Sequence, residues 1–570
     1  MSRIARIMMV LLITAAAASA QPTITVLSNA TAARSSRLLI QGSGFGTVQG
    51  GGHIEIGGMV APLTRWSDTL ISAYVPEKAP TGTLNVQIFD SQGFSSNTVP
   101  LNVTLRSSQG AHIRWRFQAD ADYIQARPAV ATDGTVYALD VYGHVYAVAP
   151  DGALKWIFNA TGTGFGNISV GADGTIYFGN TTTITALSPS GMVKWQFSQN
   201  PGANTLYGPN VGPDGNIYAV GFQGLGVFSL TPQGTLRWST REDIVPRLRV
   251  FFQEIVFGPP GQPQLYFHGN NHLRSVGLDG TSLFSYADAL GSAQADVQPA
   301  VAPDGSVYTN LFIPTGPGLT LGKFDNAGNR RWMIFDQFPT STNVLTMTEA
   351  GPDGVVYDGR NLMSLYAVNP DSTVRWQYTD AGILYSHMVS PLNDLLFVGG
   401  VVNYGQPGFF EAVSTGGTSL WKVVLPVENG FNIVPMSRAR FTSDGQTAFI
   451  GTSIPGQPSD GYSYLYSVQT GGGGVGISLS SLTTNPTIVK GGATSQGTVT
   501  LSGPAPTGGA VVTLASNRAA AVVPASITVP AGAASATFTV KTKVVTLKKV
   551  VTISATYSGV TKTAKLTLTQ

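Results

Sequence analysis

A five-residue phrase, Asp-Gly-x-x-Tyr, recurs through the middle of the chain and constrains the fold more than any other feature. Full copies begin at Asp133, Asp173, Asp214, Asp304 and Asp353, and degenerate copies at 261–266, 393–397 and 444–449 bring the number to eight. Their spacing of roughly 40 to 50 residues is typical of propeller blades, small sheets that bury their faces only against their neighbours. We interpret the aspartates as turn residues that hydrogen-bond to their own backbone.

A second phrase follows the first seven copies: an alternating apolar strand, a turn that usually contains Gly, and an aromatic residue. These aromatic residues are Trp156, Trp195, Trp238, Phe284, Trp332, Trp376 and Trp421. We expect each ring to pack across to the neighbouring blade and contribute to the core.

The eighth copy lacks this aromatic residue, since it runs through 464–468 directly into Gly471–Gly474. Near the N-terminus, in contrast, Trp115 lies in a strand of the same kind with no blade before it. We therefore predict that the strand around Trp115 pairs with the segment ending near Val468. This pairing would close a ring and remove its free sheet edges.

The two phrases resemble the PQQ-like repeat family, in which a Gly-x-x-Tyr strand precedes a Thr-Gly-x-x-x-Trp turn and strand. Residues 134–156 match closely, with Asp151-Gly152 in place of Thr-Gly. The resemblance covers about residues 110–470 and implies an eight-bladed β-propeller. The family includes quinoprotein dehydrogenases, an outer-membrane assembly lipoprotein and many exported proteins without a known activity, so it implies architecture more than activity.

Two further modules flank the repeats. Residues 22–104 contain a Gly-Ser-Gly-Phe turn at 42–45, Trp-Ser-Asp-Thr-Leu-Ile at 66–71 and a late Ser96-Asn97, and they resemble the IPT/TIG immunoglobulin-like domain. After a Gly linker at 471–475, residues 476–570 show alternating strands separated by Gly, Pro and Asn turns, like the immunoglobulin-like repeats that end many exported bacterial proteins. The predicted fold class is all-β, an eight-bladed propeller flanked by two immunoglobulin-like sandwiches.

The first twenty residues have the pattern of a signal peptide. Arg3 and Arg6 precede the apolar stretch Ile7–Ile13, and Ala18-Ser19-Ala20 matches a cleavage site. The apolar stretch is too short to span a bilayer, and no later stretch reaches about 18 apolar residues. We expect an exported chain, released or at the cell surface, with the periplasm left as an alternative.

Composition argues against several functional classes. The formal charge is +3 over 570 residues, and no Lys/Arg run suggests nucleic-acid binding. The chain has no cysteine, so it lacks the vicinal cysteine pair of the quinoprotein dehydrogenases it resembles. No stretch matches their calcium-ligand context either, and we expect no cofactor.

Potential metal and acid/base residues are few. His268 and His272 are four residues apart, a spacing that converges two imidazoles on a metal only in a helix, whereas a strand and turn are expected here. We therefore expect no metal site. A general acid/base pair of Asp120 and Asp122 remains an open alternative.

One irregular segment, 240–252, interrupts the repeat with three arginines and two phenylalanines. Connections between blades lie around one face of a propeller, and departures from a repeat tend to mark a binding face. The predicted partner contacts are Arg247, Arg249, Phe251 and Phe252. The alternative is an insertion packed on its own blade. Arg438 and Arg440 either join this basic surface or are solvated strand positions.

These observations predict an exported, non-catalytic binding or scaffolding protein whose propeller face engages a protein or a glycan. The alternative is an extracytoplasmic enzyme, either a PQQ-dependent dehydrogenase or one that acts on polysaccharide. The sequence leaves the oligomeric state open.

Overall fold

The computed structural model describes residues 21–570 with internal gaps. The gaps are 108–111, 161, 181–182, 199–205, 222–225, 241–254, 270–271, 287–298, 314–317, 335–346, 361–363, 380–382, 392–394, 403–404, 455–462, 471–478, 502–504, 506–508, 531–532 and 558–559. The predicted signal peptide and Gly linker lie outside the described residues. Within the described ranges the regular structure is all β-strand, which confirms the predicted class. No helix in this part of the chain is long and apolar enough to cross a membrane.

The N-terminal module is a sandwich of nine strands. They are β1 (Thr23–Leu27), β2 (Thr31–Ala33), β3 (Arg37–Ser43), β4 (His53–Ile56), β5 (Met59–Val60), β6 (Leu63–Trp66), β7 (Leu70–Tyr74), β8 (Gly82–Phe89) and β9 (Val99–Thr104). One sheet has the order β1-β3-β7-β6 and the other β2-β9-β8-β4-β5. Alternate apolar residues such as Leu38 and Ile40, or Val86 and Ile88, enter one shared core because strand side chains alternate between faces.

Two of the sequence signals in this module act as polar anchors. The Trp66 indole N–H donates to the carbonyls of Phe45 and Gly46, at 3.2 and 3.1 Å. The Asn97 side chain accepts the Ile24 N–H at 2.8 Å and donates to the Ile24 carbonyl at 3.1 Å. Both contacts hold the ends of the sandwich together.

The sandwich forms a compact unit together with Tyr146–Asn159. Within this unit the Leu154 N–H donates to Ser35 Oγ at 2.8 Å, and Asn159 Nδ2 donates to the Leu63 carbonyl at 3.1 Å. The remaining residues, Ser108–Val145 and Ala160–Gln570, form the second unit.

The repeat region contributes thirty-five strands. They are β10 (Ile113–Gln118), β11 (Ala129–Val130), β12 (Val136–Leu139), β13 (His144–Val148), β14 (Leu154–Asn159), β15 (Gly164–Val170), β16 (Ile176–Asn180), β17 (Ile184–Leu187), β18 (Val193–Phe197), β19 (Leu206–Val211), β20 (Ile217–Gly221), β21 (Gly226–Leu230), β22 (Leu236–Ser239), β23 (Val256–Phe257), β24 (Gln264–Gly269), β25 (His272–Gly277), β26 (Ser282–Tyr286), β27 (Ala300–Val301), β28 (Val307–Ile313), β29 (Gly318–Phe324), β30 (Arg330–Ile334), β31 (Met347–Ala350), β32 (Val356–Arg360), β33 (Ser364–Val368), β34 (Val374–Tyr378), β35 (Ile383–Val389), β36 (Leu395–Val401), β37 (Gly408–Ser414), β38 (Ser419–Val424), β39 (Val427–Glu428), β40 (Phe431–Asn432), β41 (Val434–Pro435), β42 (Arg440–Phe441), β43 (Thr447–Ser453) and β44 (Tyr464–Gln469).

Among the described residues these strands form eight successive sheets and one small hairpin, β39-β40. Sheets 1 to 7 each take four strands in chain order, from β11–β14 for sheet 1 to β35–β38 for sheet 7. Sheet 8 comprises β41 to β44 and β10. In each of sheets 1 to 7 we call the first strand inner and the fourth outer. A succession of such sheets, closed by a strand from the start of the array, is the arrangement of a β-propeller.

The repeated phrase is explained by contacts within each sheet. Each aspartate accepts the backbone N–H two residues ahead, as Asp133 does from Thr135 at 2.9 Å and Asp304 from Ser306 at 2.8 Å, which confirms the predicted turn role. The tyrosine of the phrase is buried and packs against the outer-strand aromatic of its own sheet. Ring centroids are 5.8 Å apart for Tyr177–Trp195, with similar separations for Tyr218–Trp238, Tyr308–Trp332 and Tyr357–Trp376.

The outer-strand aromatic also links its sheet to the next one, as the sequence predicts. The Trp195 indole N–H of sheet 2 donates to the Pro232 carbonyl of sheet 3 at 2.8 Å, and Trp376 of sheet 6 donates to Thr415 of sheet 7 at 2.9 Å. Trp238, Trp332 and Trp421 make the same bond. The tryptophan is therefore part of the inter-sheet core.

The first strand of the repeat region pairs with the last. Trp115 of β10 is opposite Ser467 of β44, and Ile113 is opposite Val468, as predicted. Arg116 lies over the Tyr464 ring at 4.6 Å, and Glu428 binds both the Arg116 guanidinium and the Tyr464 hydroxyl. These contacts join β10 to sheet 8 by side chains as well as by the backbone.

The C-terminal module is a second two-sheet sandwich. Its strands are β45 (Leu479–Asn485), β46 (Ile488–Lys490), β47 (Thr494–Leu501), β48 (Ala510–Ser516), β49 (Ala521–Val522), β50 (Ser526–Val529), β51 (Ser535–Thr542), β52 (Lys549–Tyr557) and β53 (Val560–Thr569). The sheet orders are β45-β47-β51-β49 and β46-β53-β52-β48-β50. Val499 and Phe538 from one sheet share a core with Val512, Ile553 and Leu566 from the other.

Candidate functional site

Polar and charged side chains concentrate on the first two strands of sheets 5 to 7 and on the segment between β41 and β42 in sheet 8. The group, which we call the inner polar cluster, consists of Asn310, Thr348, Glu349, Asp358, His387 and Arg438. Five of these six side chains are buried, and Glu349 retains 17% exposure of its side chain. Buried polar groups need partners to offset desolvation, so their contacts define the site.

An amide, a hydroxyl and a carboxylate join sheets 5 and 6. Asn310 Nδ2 donates to Thr348 Oγ1 at 2.7 Å and to Asp358 Oδ1 at 2.9 Å. Thr348 Oγ1 donates to the same carboxylate oxygen at 3.1 Å. Asn310 lies on β28, whereas Thr348 and Asp358 are opposite one another on β31 and β32. The charge of Asp358 is therefore met by neutral donors from two sheets.

A buried ion pair joins sheet 8 to sheet 6. Arg438 lies between β41 and β42, is 2% exposed, and places Nη2 2.7 Å from Glu349 Oε1. Such a pair offsets the cost of burying the guanidinium but contributes little net stability over an apolar pair. Removing one partner alone is costly because it leaves the other charge buried. Arg438 therefore fixes the inner segment of sheet 8 in place.

His387 completes the cluster from the inner strand of sheet 7. Its Nε2 lies 3.2 Å from the Tyr357 carbonyl, so Nε2–H donates and Nδ1 is left as an acceptor. Burial lowers the pKa of His387 below its ordinary value, and the positive charge of Arg438 adds to this effect against the opposing influence of Glu349. The imidazole is therefore neutral near pH 7.

The polar groups of this cluster bond to one another and to nearby backbone. Its carboxylates are engaged by Arg438, Asn310 and Thr348, and the imidazole proton is used by a backbone carbonyl. Within the described residues no group of three or more His, Cys, Asp or Glu side chains is arranged to hold a metal ion. Of the six side chains in the cluster, Glu349 alone is partly exposed, so a ligand would contact the cluster at Glu349.

The predicted contact residues differ in whether the structure describes them and in how exposed they are. Arg247, Arg249, Phe251 and Phe252 fall in the gap 241–254, outside the described residues. Arg440 is exposed on β42, in keeping with a solvated strand position. For Arg438 the solvated alternative is wrong, because its guanidinium is buried and paired with Glu349. Burial of a charged residue in a strand pattern has no local sequence signature, so only the fold revealed it.

The two histidines four residues apart do not converge. His268 is the penultimate residue of β24, with Nε2 2.7 Å from Thr309 Oγ1 of sheet 5, whereas His272 begins β25 with Nδ1 2.8 Å from Ser285 Oγ in its own sheet. Of the two aspartates considered as an acid/base pair, Asp120 is buried and Asp122 accepts the Tyr142 hydroxyl at 3.4 Å.

Sequence reasoning missed Glu349, Asp358 and His387. A signal for one of them exists in the repeat itself. Counted back from the Asp-Gly turn, Glu349 occupies the position of Ala129 and Ala300 in sheets 1 and 5, so comparing the repeats position by position would have marked it as an exception. His387 has no such signal, because it lies six residues before Asn393, whereas Pro128 and Pro299 lie five residues before Asp133 and Asp304.

Comparisons with known proteins locate one family in the chain. Residues 22–104 match the model of the IPT/TIG domain, so this part of the chain is an IPT/TIG domain. No curated protein matches the sequence.

Among solved structures, BamB from Moraxella catarrhalis is similar at 14% identity and a TM-score of 0.44, covering 62% of this chain and 98% of its own. The Dos1 propeller is similar at 9% identity and a TM-score of 0.44, covering 62% of this chain and 95% of its own. An auxiliary nutrient binding protein from Bacteroides ovatus is similar at 11% identity and a TM-score of 0.31, covering 79% of this chain and 98% of its own. Likenesses this distant do not transfer an activity to the chain.

Proposed function

We propose that this chain is an exported, non-catalytic binding or scaffolding protein. In this proposal an eight-bladed propeller of PQQ-like repeats stands between the IPT/TIG domain and a C-terminal immunoglobulin-like domain. The signal-peptide pattern of residues 1–20 supports export, to the cell surface, the medium or the periplasm.

One observation carries the proposal: the recurrent chemistry-bearing residues have structural roles. The aspartates of the phrase cap their own turns, the tyrosines are buried, and the tryptophans bond to the next sheet. The inner polar cluster is likewise bonded internally. Residues free to act on a partner are then those that depart from the repeat.

The partner surface we propose lies on the connection between β22 and β23. It comprises Arg247, Arg249, Phe251 and Phe252, together with Arg440, an exposed arginine on β42. Arginine and aromatic side chains are the types enriched at binding hot spots. Arg438 belongs to this proposal as a positioning residue, because its ion pair with Glu349 holds the segment that leads into β42.

The test compares the mature chain with a variant that carries Arg247→Ala, Arg249→Ala, Phe251→Ala and Phe252→Ala. A matched control removes two exposed arginines elsewhere, Arg330→Ala and Arg331→Ala on β30. A glycan array measures carbohydrate binding, and a photo-crosslinker at Phe251 in the producing cell captures a protein partner. We expect one of the two signals, lost in the fourfold variant and kept in the control, without cleavage of the bound glycan.

The same preparation separates the enzyme alternative. Release of a shortened glycan, or dye reduction on addition of PQQ and calcium, would contradict a non-catalytic role. Absence of both binding signals in the unmodified chain would overturn the proposal itself.

A further inference from the structure

The charges of this chain are unevenly divided between its modules. All 30 Asp and Glu residues lie before residue 476, and none occurs in the C-terminal module at 476–570. That module nevertheless contains eight basic residues: Lys490, Arg518, Lys541, Lys543, Lys548, Lys549, Lys562 and Lys565. So one-sided a composition indicates a partner of negative charge, because the module has no carboxylate side chain of its own to neutralise the cations.

Four of these lysines surround one connection of the sandwich. Residues 543–548 join β51 to β52, and Lys543 and Lys548 are the first and last residues of this connection. Lys541 and Lys549 lie on the strands that enter and leave it, and all four side chains are exposed. Lysine often protects the edge strands of sheets. However, β51 and β52 are interior strands of their sheets, so edge protection does not account for this group.

Two further cations lie at the same end of the sandwich. β46 ends at Lys490, and the glycine that follows lies so close to the connection that an added Cβ would come within 2.8 Å of the Val545 nitrogen. Arg518 lies two residues before Ala520, whose carbonyl accepts the N–H of Lys543 at 2.9 Å. Six of the eight cations therefore share one end, which we call the lysine end.

The same connection exposes apolar side chains. Val544 is 82% exposed and Leu547 is 69% exposed, whereas Val545 between them is buried in the core and anchors the connection. Beside the connection, Ile488 of β46 and Val550 of β52 are opposite the same residue of β53, and both are exposed. The lysine end thus combines exposed apolar side chains with surrounding cations.

An anionic lipid bilayer is the partner that meets both features. Its interfacial layer accepts apolar side chains to a depth of about 5–10 Å, and lysine side chains extend their ammonium groups from there to the phosphates. A soluble polyanion, such as a nucleic acid or an acidic polysaccharide, would bind the lysines but leave Val544 and Leu547 in water. The exposed apolar side chains therefore favour a membrane surface.

We propose that the lysine end docks the C-terminal module on the surface of a bilayer that contains anionic phospholipid. Val544 and Leu547 are buried in the interfacial layer, and the lysines around them bind the lipid phosphates. This inference goes beyond the proposed function, because it concerns a different module and a different partner.

Sedimentation of the mature chain with lipid vesicles tests the proposal. One set of vesicles contains equal parts of phosphatidylglycerol and phosphatidylcholine, and the other contains phosphatidylcholine alone. We expect binding to the anionic vesicles to be about tenfold or more tighter. This binding should weaken as sodium chloride is added, because salt screens the lysine charges. Equal binding to both sets, or binding to neither, would overturn the proposal.

A matched pair of charge variants locates the surface. Lys543→Gln/Lys548→Gln removes two charges from the lysine end, whereas Lys78→Gln/Lys562→Gln removes two exposed lysines that lie outside it. A lysine close to an anionic surface strengthens binding roughly fivefold, so we expect the first variant to bind the anionic vesicles about tenfold or more weakly. The second should bind as the unmodified chain does. Equal losses in both variants would contradict the proposed location.

A second pair of variants separates a membrane from a soluble polyanion. Val544→Ser/Leu547→Ser removes the exposed apolar side chains and keeps every charge. We expect it to bind the anionic vesicles about tenfold or more weakly, because burial of apolar carbon contributes to membrane affinity. The control Met192→Ser/Val511→Ser changes two exposed apolar residues elsewhere and should bind normally. Unchanged vesicle binding by Val544→Ser/Leu547→Ser would show that a soluble polyanion is the partner and that membrane docking is wrong.

The absence of cysteine permits a direct measurement of burial in the bilayer. Leu547→Cys and Val511→Cys each introduce a single thiol for an environment-sensitive fluorophore. With anionic vesicles, we expect the emission of the label at 547 to move to shorter wavelength and that of the label at 511 to stay constant. Bound vesicles without a shift at 547 would contradict the proposal. None of these outcomes depends on the glycan array or the crosslinking results, so the two proposals fail separately.

Discussion

A single glycine sets the approach between neighbouring sheets. Gly234 has φ +84° and lies against the Trp195 ring of the preceding sheet, where an added Cβ would come within 2.6 Å of the ring. Gly280 and Gly417 repeat the arrangement against Trp238 and Trp376. Glycine is required here twice, once for the left-handed backbone and once for the close contact. The same contact brings the indole N–H to a carbonyl of that turn.

Two glycine-to-alanine substitutions in sheet 3 separate the backbone requirement from the contact requirement. Gly215 has φ +77° but nothing within 4 Å of an added Cβ. Gly215→Ala is therefore expected to cost roughly 1–2 kcal/mol from backbone strain alone. Gly234→Ala adds the overlap with Trp195 and is expected to cost about 1–3 kcal/mol more. Chemical denaturation of both variants measures the difference, and equal losses would show that the ring contact is unimportant.

The turns of the repeat are electrostatic as well as geometric elements. The Thr175 side chain, followed by the Thr175 backbone N–H and Lys194, lowers the pKa of Asp173 from an ordinary 3.8 to about 2. The hydrogen bonds of Asp371 to the Thr373 side chain and backbone lower its pKa too. These turns bind the ionised carboxylate better than the protonated one.

The sign of the pH dependence follows from this shift. Because the folded-state pKa of Asp173 is below the unfolded value, its contribution is present above about pH 4 and is lost as pH falls toward about 2. Asp173→Asn is expected to lower stability at pH 6 and to have a much smaller effect at pH 2, where about half of the Asp173 carboxylate is protonated. The denaturation midpoints of both chains between pH 6 and pH 2 test this. A constant difference across that range would rule out the ionised carboxylate as the stabilising form.

At the scale of the whole molecule, the ring depends on a strand that the chain supplies before its first repeat. β10 covers β44, whose Tyr466 and Val468 are buried. Without β10 the backbone groups of β44 would form an exposed edge beside apolar side chains, the usual starting point of edge-to-edge association.

Two deletions test this closure. Removing 21–107 takes away the IPT/TIG domain and keeps β10, whereas removing 21–118 takes away both. We expect the shorter deletion to elute as the full chain does for its size and the longer one to self-associate in size-exclusion chromatography. Self-association of both alike would attribute the effect to the lost sandwich and not to the open edge.

The sequence by itself determined the repeat, its turn aspartates, the outer-strand aromatics and the strand that closes the array. It could do so because these depend on local patterns: a turn residue bonds its own backbone, and strand side chains alternate. The IPT/TIG domain was recognisable for the same reason, since its Gly-Phe-Gly turn and Asn97 are anchors at fixed positions.

Only the tertiary structure decided how residues far apart in sequence share a buried environment. Nothing near Arg438 indicates that it meets Glu349, and nothing near Asp358 indicates that Asn310 of the preceding sheet donates to it. Burial and charge pairing are properties of the packed array, because each depends on side chains that the fold brings together from separate sheets.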